Sequence, residues 1–182
     1  MTMAKPLIGA GYLTTMQNSE TYTPTYFIKK IADRNLWVNN QRVLDFGTGT
    51  VGIIAAKKAG RGVGVEINKS AVDDAVKNAA LNLCENIKFY CGDAGEFLEK
   101  SGEKFDVVFT DPPRAGCSKK FLNSLCKSGV KKIVYISCNP ETLARDLRLM
   151  IKNGYSVDKL IPYDLFPQTS HIESLVRLSR RH

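Results

Sequence analysis

Short apolar runs that alternate with segments of helical periodicity limit the fold of this chain more than any other feature. The runs lie near residues 42–46, 62–66, 87–91, 105–110 and 131–137, with helical segments near 50–59, 69–82, 94–100, 118–128 and 141–152. Parallel strands need a long crossover, usually a helix, so this order predicts an α/β fold, a doubly wound sheet with helices on both faces. Two closing strands, Tyr155 to Ile161 and Ile172 to Leu178, bring the mostly parallel sheet to seven strands. Ligands in such sheets bind beyond the carboxyl ends of the strands. Asp45, Glu66, Asp93, Asp111 and Cys138 all fall there, and stability alone does not call for so many polar or reactive groups along one edge.

The first strand and helix are joined by Asp45-Phe46-Gly47-Thr48-Gly49-Thr50. Glycines at Gly47 and Gly49 let the backbone pass close to a ligand, and the helix behind them offers unpaired N–H groups. Tight strand-to-helix turns also use glycine for steric reasons. The second strand, Gly62 to Glu66, ends in an acid about twenty residues on, placed to accept hydrogen bonds from ribose hydroxyls. The loop lacks the Lys-Ser/Thr ending of a phosphate-binding loop, which argues against nucleoside triphosphate hydrolysis.

Cys138 follows the apolar run Ile133-Val134-Tyr135-Ile136, and Asn139-Pro140 reads as the cap and first residue of the next helix. Free cysteines are most often buried and inert. A helix N-terminus, however, favours thiolate over thiol, so the junction is expected to lower the Cys138 pKa. Glu173 stands beside Ile172 and Leu175. Desolvation there would raise its pKa and make it a proton acceptor, although a glutamate on an edge strand is ordinarily a surface residue.

At 182 residues and 43% hydrophobic, the chain suits one core. The division is an irregular arm over residues 1–25 and a domain over 26–182, which a helix from Tyr26 to about Asn35 opens. The five cysteines, Cys84, Cys91, Cys117, Cys126 and Cys138, are odd in number and without CxxC or Cys/His spacing. That argues against a disulfide framework or a metal site and suits a reducing cytoplasm. No apolar run approaches membrane-spanning length. Residues 1–111 hold 13 basic and 13 acidic side chains, whereas residues 112–182 hold 13 and 5, so the net charge of +8 lies wholly with Cys138. Such a bias suits a phosphate backbone as well as it suits a solvated face.

Three stretches carry a resemblance: Asp111-Pro112-Pro113-Arg114-Ala115-Gly116, Tyr135 through Asp146 around Cys138-Asn139-Pro140-Glu141-Thr142-Leu143, and Phe166 through Glu173. In this order and spacing they resemble the S-adenosylmethionine-dependent RNA uracil-5-methyltransferases, which make 5-methyluridine in transfer and ribosomal RNA. The likeness implies a Rossmann-like class I methyltransferase fold. It further implies Cys138 as nucleophile at uracil C6 and Glu173 as the base that removes the C5 proton. Asp45, Gly47, Gly49, Thr50, Glu66, Asp93 and Asp111 would hold S-adenosyl-L-methionine, with Glu66 at the ribose and Asp93 near the adenine. Asp111, Pro112 and Arg114 would meet the RNA, a tRNA or rRNA. No membrane or metal partner is expected, and nothing in the sequence speaks to oligomeric state.

The chain departs from the family pattern in several places. Asp45-Phe46-Gly47 is shorter than the usual first motif, and the upstream glutamine motif has two competing positions, Gln17 and the stretch Tyr22 to Thr25. The chain leaves room for neither the oligonucleotide-binding barrel nor the second RNA-binding domain of many members, and lacks the cysteine cluster that holds an iron–sulfur centre in some. A cofactor- and RNA-binding module, inactive without a partner or further domains, is therefore one alternative. A methyltransferase acting on another atom, such as adenine N6, is another, but it would have no use for a nucleophilic cysteine paired with a glutamate.

Overall fold

The computed structural model of the protein describes residues 40–47, 50–165 and 168–181. The expected N-terminal arm, the helix from Tyr26, Gln17 and Gly49 lie outside the described residues. The strands are β1 (Arg42–Phe46), β2 (Arg61–Glu66), β3 (Ile87–Cys91), β4 (Val107–Thr110), β5 (Lys132–Ser137), β6 (Tyr155–Tyr163) and β7 (Glu173–Arg180). The helices are α1 (Thr50–Ala56), α2 (Lys69–Leu81), α3 (Ala94–Lys100), α4 (Lys119–Lys127) and α5 (Pro140–Lys152). They form a single seven-stranded sheet in the order β3-β2-β1-β4-β5-β7-β6. β1 to β5 pair in parallel, and β7 runs antiparallel between β5 and β6.

The side-chain period of a strand divides the core into two layers. Leu44, Val63, Val108, Ile133 and Tyr135 point to one face, where Leu122, Leu125, Leu143 and Met150 of α4 and α5 cover them. Val43, Val107, Phe109, Val134, Ile136 and Leu175 point to the other, against Val51 and Ala55 of α1. The central strands are buried on both sides, which is why they read as unbroken apolar runs.

Four of the five helices begin on a capping side chain: Asn68, Asp93, Ser118 and Asn139 each accept a hydrogen bond from an N–H of the first turn. An accepting side chain there satisfies one of the donors a helix start leaves unpaired. All four lie at the carboxyl edge of the parallel sheet, where the parallel strands hand over to helices. Pro140 at the first position of α5 fits the same junction, because the missing proline N–H would have been unpaired anyway.

α1 is seated on β1 through Gly52. Its N–H donates to Asp45 Oδ2 at 2.8 Å, and a Cβ at Gly52 would stand 2.9 Å from both Asp45 Cβ and Oδ2. Gly52→Ala is therefore expected to cost about 1–3 kcal/mol through overpacking. Thermal unfolding should show a midpoint lowered by about 2–4 °C per kcal/mol; an unchanged midpoint would mean that α1 is not seated this closely.

Candidate active site

The insertion of β7 beside β5 decides where the two candidate catalytic side chains meet. Ile136 pairs with Leu175 and Ser137 with Ser174, so β5 ends one residue before Cys138 at the place where β7 begins with Glu173. Leu175 points to the α1 face, so by strand period Glu173, two residues before it in β7, points there as well. Its carboxylate is near enough to Cys138 to raise the thiol's pKa. β7 lies inside the sheet, with Tyr163 of β6 on the other side of Glu173. Glu173 is accordingly 8% exposed.

Cys138 occupies a bend held on both sides. Asn139 N–H donates to Ser137 Oγ at 3.2 Å, and Ser137 Oγ reaches Asn139 O at 3.0 Å. The Asn139 side chain accepts from Glu141 N–H at 3.0 Å, and Leu143 N–H donates to Asn139 O at 3.1 Å. First-turn donors of α5 are thereby engaged with Asn139. The sequence reading expects a lowered Cys138 pKa, whereas here the thiol is raised above its ordinary value. Burial is the main cause; the carboxylate of Glu173 adds to it and so, less strongly, does that of Asp111, while Arg114 opposes them. The resting sulfur is thus a thiol. Cys117 is buried and pushed higher still, to about 11, which leaves Cys138 the better placed nucleophile.

Burial, then the Asp111 carboxylate, push Glu173 up to about 7, with Arg114 pulling the other way. Arg114 thus faces both candidate catalytic groups. Its Nη2 donates to His171 Nδ1 at 2.7 Å, so the imidazole carries its hydrogen on Nε2. Pro112, half-buried, precedes Arg114 by two residues.

The residues expected at the methyl donor form a second group along the same edge. Asp45 is not at the rim but inside β1, 2% exposed, with Oδ2 on Gly52 N–H. Burial, followed by the nearby Asp111 and Glu66 carboxylates, raises it to about 7 although Gly52 lowers it. Gly47 has φ 142°, a conformation L side chains rarely adopt, and its N–H donates to Val65 O at 3.3 Å. Thr50 is the first residue of α1. Glu66 Oε1 accepts from Asn68 N–H at 2.8 Å, and Asp93, the cap of α3, accepts from Glu96 N–H at 2.9 Å. Each is thus partly engaged in holding local backbone. Gly92 N–H donates to Glu66 O at 3.0 Å, which sets the Asp93 turn beside Glu66. Asp111 belongs to both groups. It acts on Asp45 on one side and on Glu173 and Cys138 on the other.

The sequence reading missed the residues that hold the loop after β4. Asn139 Nδ2 and Thr142 Oγ1 donate to Arg114 O at 3.3 and 3.0 Å. Asp146, 1% exposed, lies on the buried side of α5 with Leu143, Leu147 and Met150. An acid at a position of the apolar helical stripe is the signal that could have found it. Among the described residues no group of three or more His, Cys, Asp or Glu could hold a metal ion, and no helix is long and apolar enough to cross a membrane.

Residues 38–181 match the family described as tRNA (uracil-5-)-methyltransferase. An uncharacterised RNA methyltransferase of Caldanaerobacter subterraneus subsp. tengcongensis is 45% identical over 138 residues, 75% of this chain and 31% of that protein. The chain therefore spans about a third of that relative's length. The Pyrococcus abyssi tRNA (uracil-54, C5)-methyltransferase, solved in complex with S-adenosyl-L-homocysteine, matches with TM-score 0.71 at 33% identity, covering 84% of this chain and 37% of that one. The precorrin-6y C5,15-methyltransferase of Geobacter metallireducens has the same TM-score, 0.71, at 15% identity, covering 89% and 92% of the two chains. That second likeness shows the fold alone, the Rossmann-like sheet of class I methyltransferases.

The charges around Cys138 set the sign of a titration. Arg114→Ala should move the pH profile of Cys138 alkylation to higher pH, and Glu173→Gln should move it to lower pH. Iodoacetamide labelling followed by mass spectrometry of the Cys138 peptide separates it from the exposed Cys91. Profiles unmoved in both variants would mean that neither charge faces the thiol.

Proposed function

The chain belongs to the tRNA (uracil-5-)-methyltransferase family, and on that premise we propose that it transfers a methyl group from S-adenosyl-L-methionine to C5 of a uridine in RNA through a covalent adduct between Cys138 and C6. The observation that carries this reading is the nearness of Cys138, just past the end of β5, to Glu173, the first residue of β7, with Arg114 acting on both.

The residues present suit the methyl donor. It carries positive charge on its sulfonium and its ammonium group, and the carboxylates of Asp45, Glu66 and Asp111 raise the local demand for a cation. Gly47 keeps a side chain out of the turn beside them. Asp45, Gly47, Gly49, Thr50, Glu66, Asp93 and Asp111 would hold it; that a relative was solved with S-adenosyl-L-homocysteine favours the donor itself. When bound, it supplies an electrophilic methyl group on sulfur.

Uracil C5 is a weak nucleophile until C6 is saturated. Cys138 gives its proton to solvent and adds through sulfur to C6, and the C5–C6 π pair moves towards the C4 carbonyl as an enolate. C5 would take the methyl group as the donor's carbon–sulfur bond breaks, the pair staying on the sulfur of S-adenosyl-L-homocysteine. Glu173, ionised above about pH 7, then takes the C5 proton. The pair from the C5–H bond re-forms the C5–C6 double bond, and the C6–S bond breaks to return Cys138 as thiolate. Asp111 and Pro112 line the approach, and Arg114 holds the base or a neighbouring phosphate. C6 is out of reach inside stacked RNA, so the uridine is flipped out or offered in a loop. The basic excess of residues 112–182 suits a tRNA or rRNA backbone, and the free cysteines suit the cytoplasm. Residues 26–182 would form the methyltransferase domain, with residues 1–25 an arm before it.

Coverage of only 31% of a curated relative favours a second reading, a cofactor- and RNA-binding module that needs a partner or further domains to act. Incubation with S-adenosyl-L-methionine and 5-fluorouridine RNA, both tRNA and rRNA, tests the first reading, because fluorine at C5 blocks the final proton removal. A protein–RNA adduct stable in denaturing gels and absent in Cys138→Ala is expected. Cofactor binding by calorimetry without an adduct on either RNA would count against the first reading and for the second. On ordinary RNA, Glu173→Gln should accumulate adduct and lose at least about 100-fold in turnover.

A further inference from the structure

The loop between β4 and α4 has almost no secondary structure, yet several of its backbone groups have specific partners. Gly116 N–H donates to Pro113 O at 2.8 Å. Arg114 O accepts from Asn139 and Thr142. Arg145 Nη2 donates to Ala115 O at 2.9 Å and to Cys117 O at 3.1 Å. Cys117 N–H donates to Asp146 Oδ2 at 2.7 Å. The same Oδ2 accepts from Tyr135 OH at 2.6 Å, and Asp146 Oδ1 accepts from Arg145 Nε at 2.8 Å. Irregular backbone otherwise finds partners in water or its own turn; here side chains of α5 and its cap Asn139 supply several of them.

The centre of this arrangement is a carboxylate almost wholly removed from water. Burying a charge is costly unless it is paired and hydrogen-bonded, and Asp146 meets three donors from three segments. Tyr135 comes from β5, three residues before Cys138; Arg145 comes from α5, which starts two residues after it; Cys117 comes from the loop that carries Asp111 and Arg114. Gly116 leaves room for the junction. Its φ is +75°, and a Cβ there would lie 2.6 Å from Arg145 Nη2 and 2.7 Å from Asp146 Oδ2.

We propose that Asp146, oriented by Tyr135 and Arg145, is a positioning residue that fixes the loop carrying Asp111 and Arg114 relative to Cys138. Its oxygens touch no reacting atom. They tie the strand and helix on either side of the nucleophile to the segment whose guanidinium faces it, so nucleophile and cation keep one separation. The consequence for methyl transfer rests on the function proposed above; the placement of Arg114 does not.

Tyr135→Phe removes one hydroxyl from this junction while keeping the ring that packs in the core, and Asp146→Asn removes the charge. The groups facing the Cys138 thiol are Glu173 on β7 and Asp111 and Arg114 on the loop. A loop released from Asp146 takes Arg114, the one cation among them, away from the sulfur. The alkylation profile of Cys138 in folded Tyr135→Phe should therefore shift to higher pH, in the direction of Arg114→Ala. Adduct formation with 5-fluorouridine RNA should slow about tenfold, with cofactor affinity kept within about twofold. A residue that only adds stability would lower the unfolding midpoint and leave the profile where it is. An unmoved profile in Tyr135→Phe, and in Asp146→Asn if that variant folds, overturns the proposal. If the profile shifts while even the unaltered protein forms no adduct, the positioning role stands and the proposed reaction falls.

Discussion

The antiparallel insertion of β7 between β5 and β6 is the constraint on which the candidate site depends. Parallel strands bring their carboxyl ends to one edge, and on that edge alone Cys138 would face loops. β7 arrives from the opposite direction and starts at Glu173, so the residue that begins β7 comes near the residue that follows the end of β5. The side-chain period makes this arrangement all or none, since a one-residue slip in register would turn Glu173 to the other face. Leu175, Val176 and Leu178, all buried, divide between the two core layers and hold the register.

Electrostatics then distinguishes the groups that register brings together. Glu173, Asp111 and Asp45 are carboxylates within mutual influence, with Arg114 opposing them at the Glu173 end. Glu173 and Asp45 both sit near neutrality because burial disfavours their charge. A carboxyl group poised close to neutral pH moves protons well in either direction, which is the property the proposed base needs. The loop that supplies Asp111 and Arg114 belongs to neither strand nor helix, and its position is a matter of side-chain hydrogen bonds from α5 and its cap, with Tyr135 of β5 bonded in turn to Asp146.

Most of the fold was legible in the sequence because the central strands are buried on both faces and the helices are punctuated by caps. Strand and helix ends fall within two or three residues of expectation: β4 starts at Val107 rather than 105, and α1 ends at Ala56 rather than 59. The junction Asn139-Pro140 was read for what it is. Three things were hidden. Asp45 is one residue short of the end of β1, and its carboxylate turns inward to Gly52, which a strand-end reading does not resolve. The effect of a helix start on Cys138 is outweighed, because burial raises the thiol and Glu173 adds a negative charge from a strand distant in sequence. Asp146 was passed over because a polar residue within an amphipathic helix reads as solvated until its neighbours are known. Each miss concerns a partner from elsewhere in the chain.

Release of tritium from RNA carrying [5-³H]uridine tests the central claim most directly, because the paired roles of Cys138 and Glu173 require that the C5 hydrogen leave for every methyl group that arrives. One tritium should be released per methyl transferred, with release lost in Cys138→Ala and slowed in Glu173→Gln in step with turnover. Methyl transfer to RNA that leaves the C5 tritium in place would contradict it.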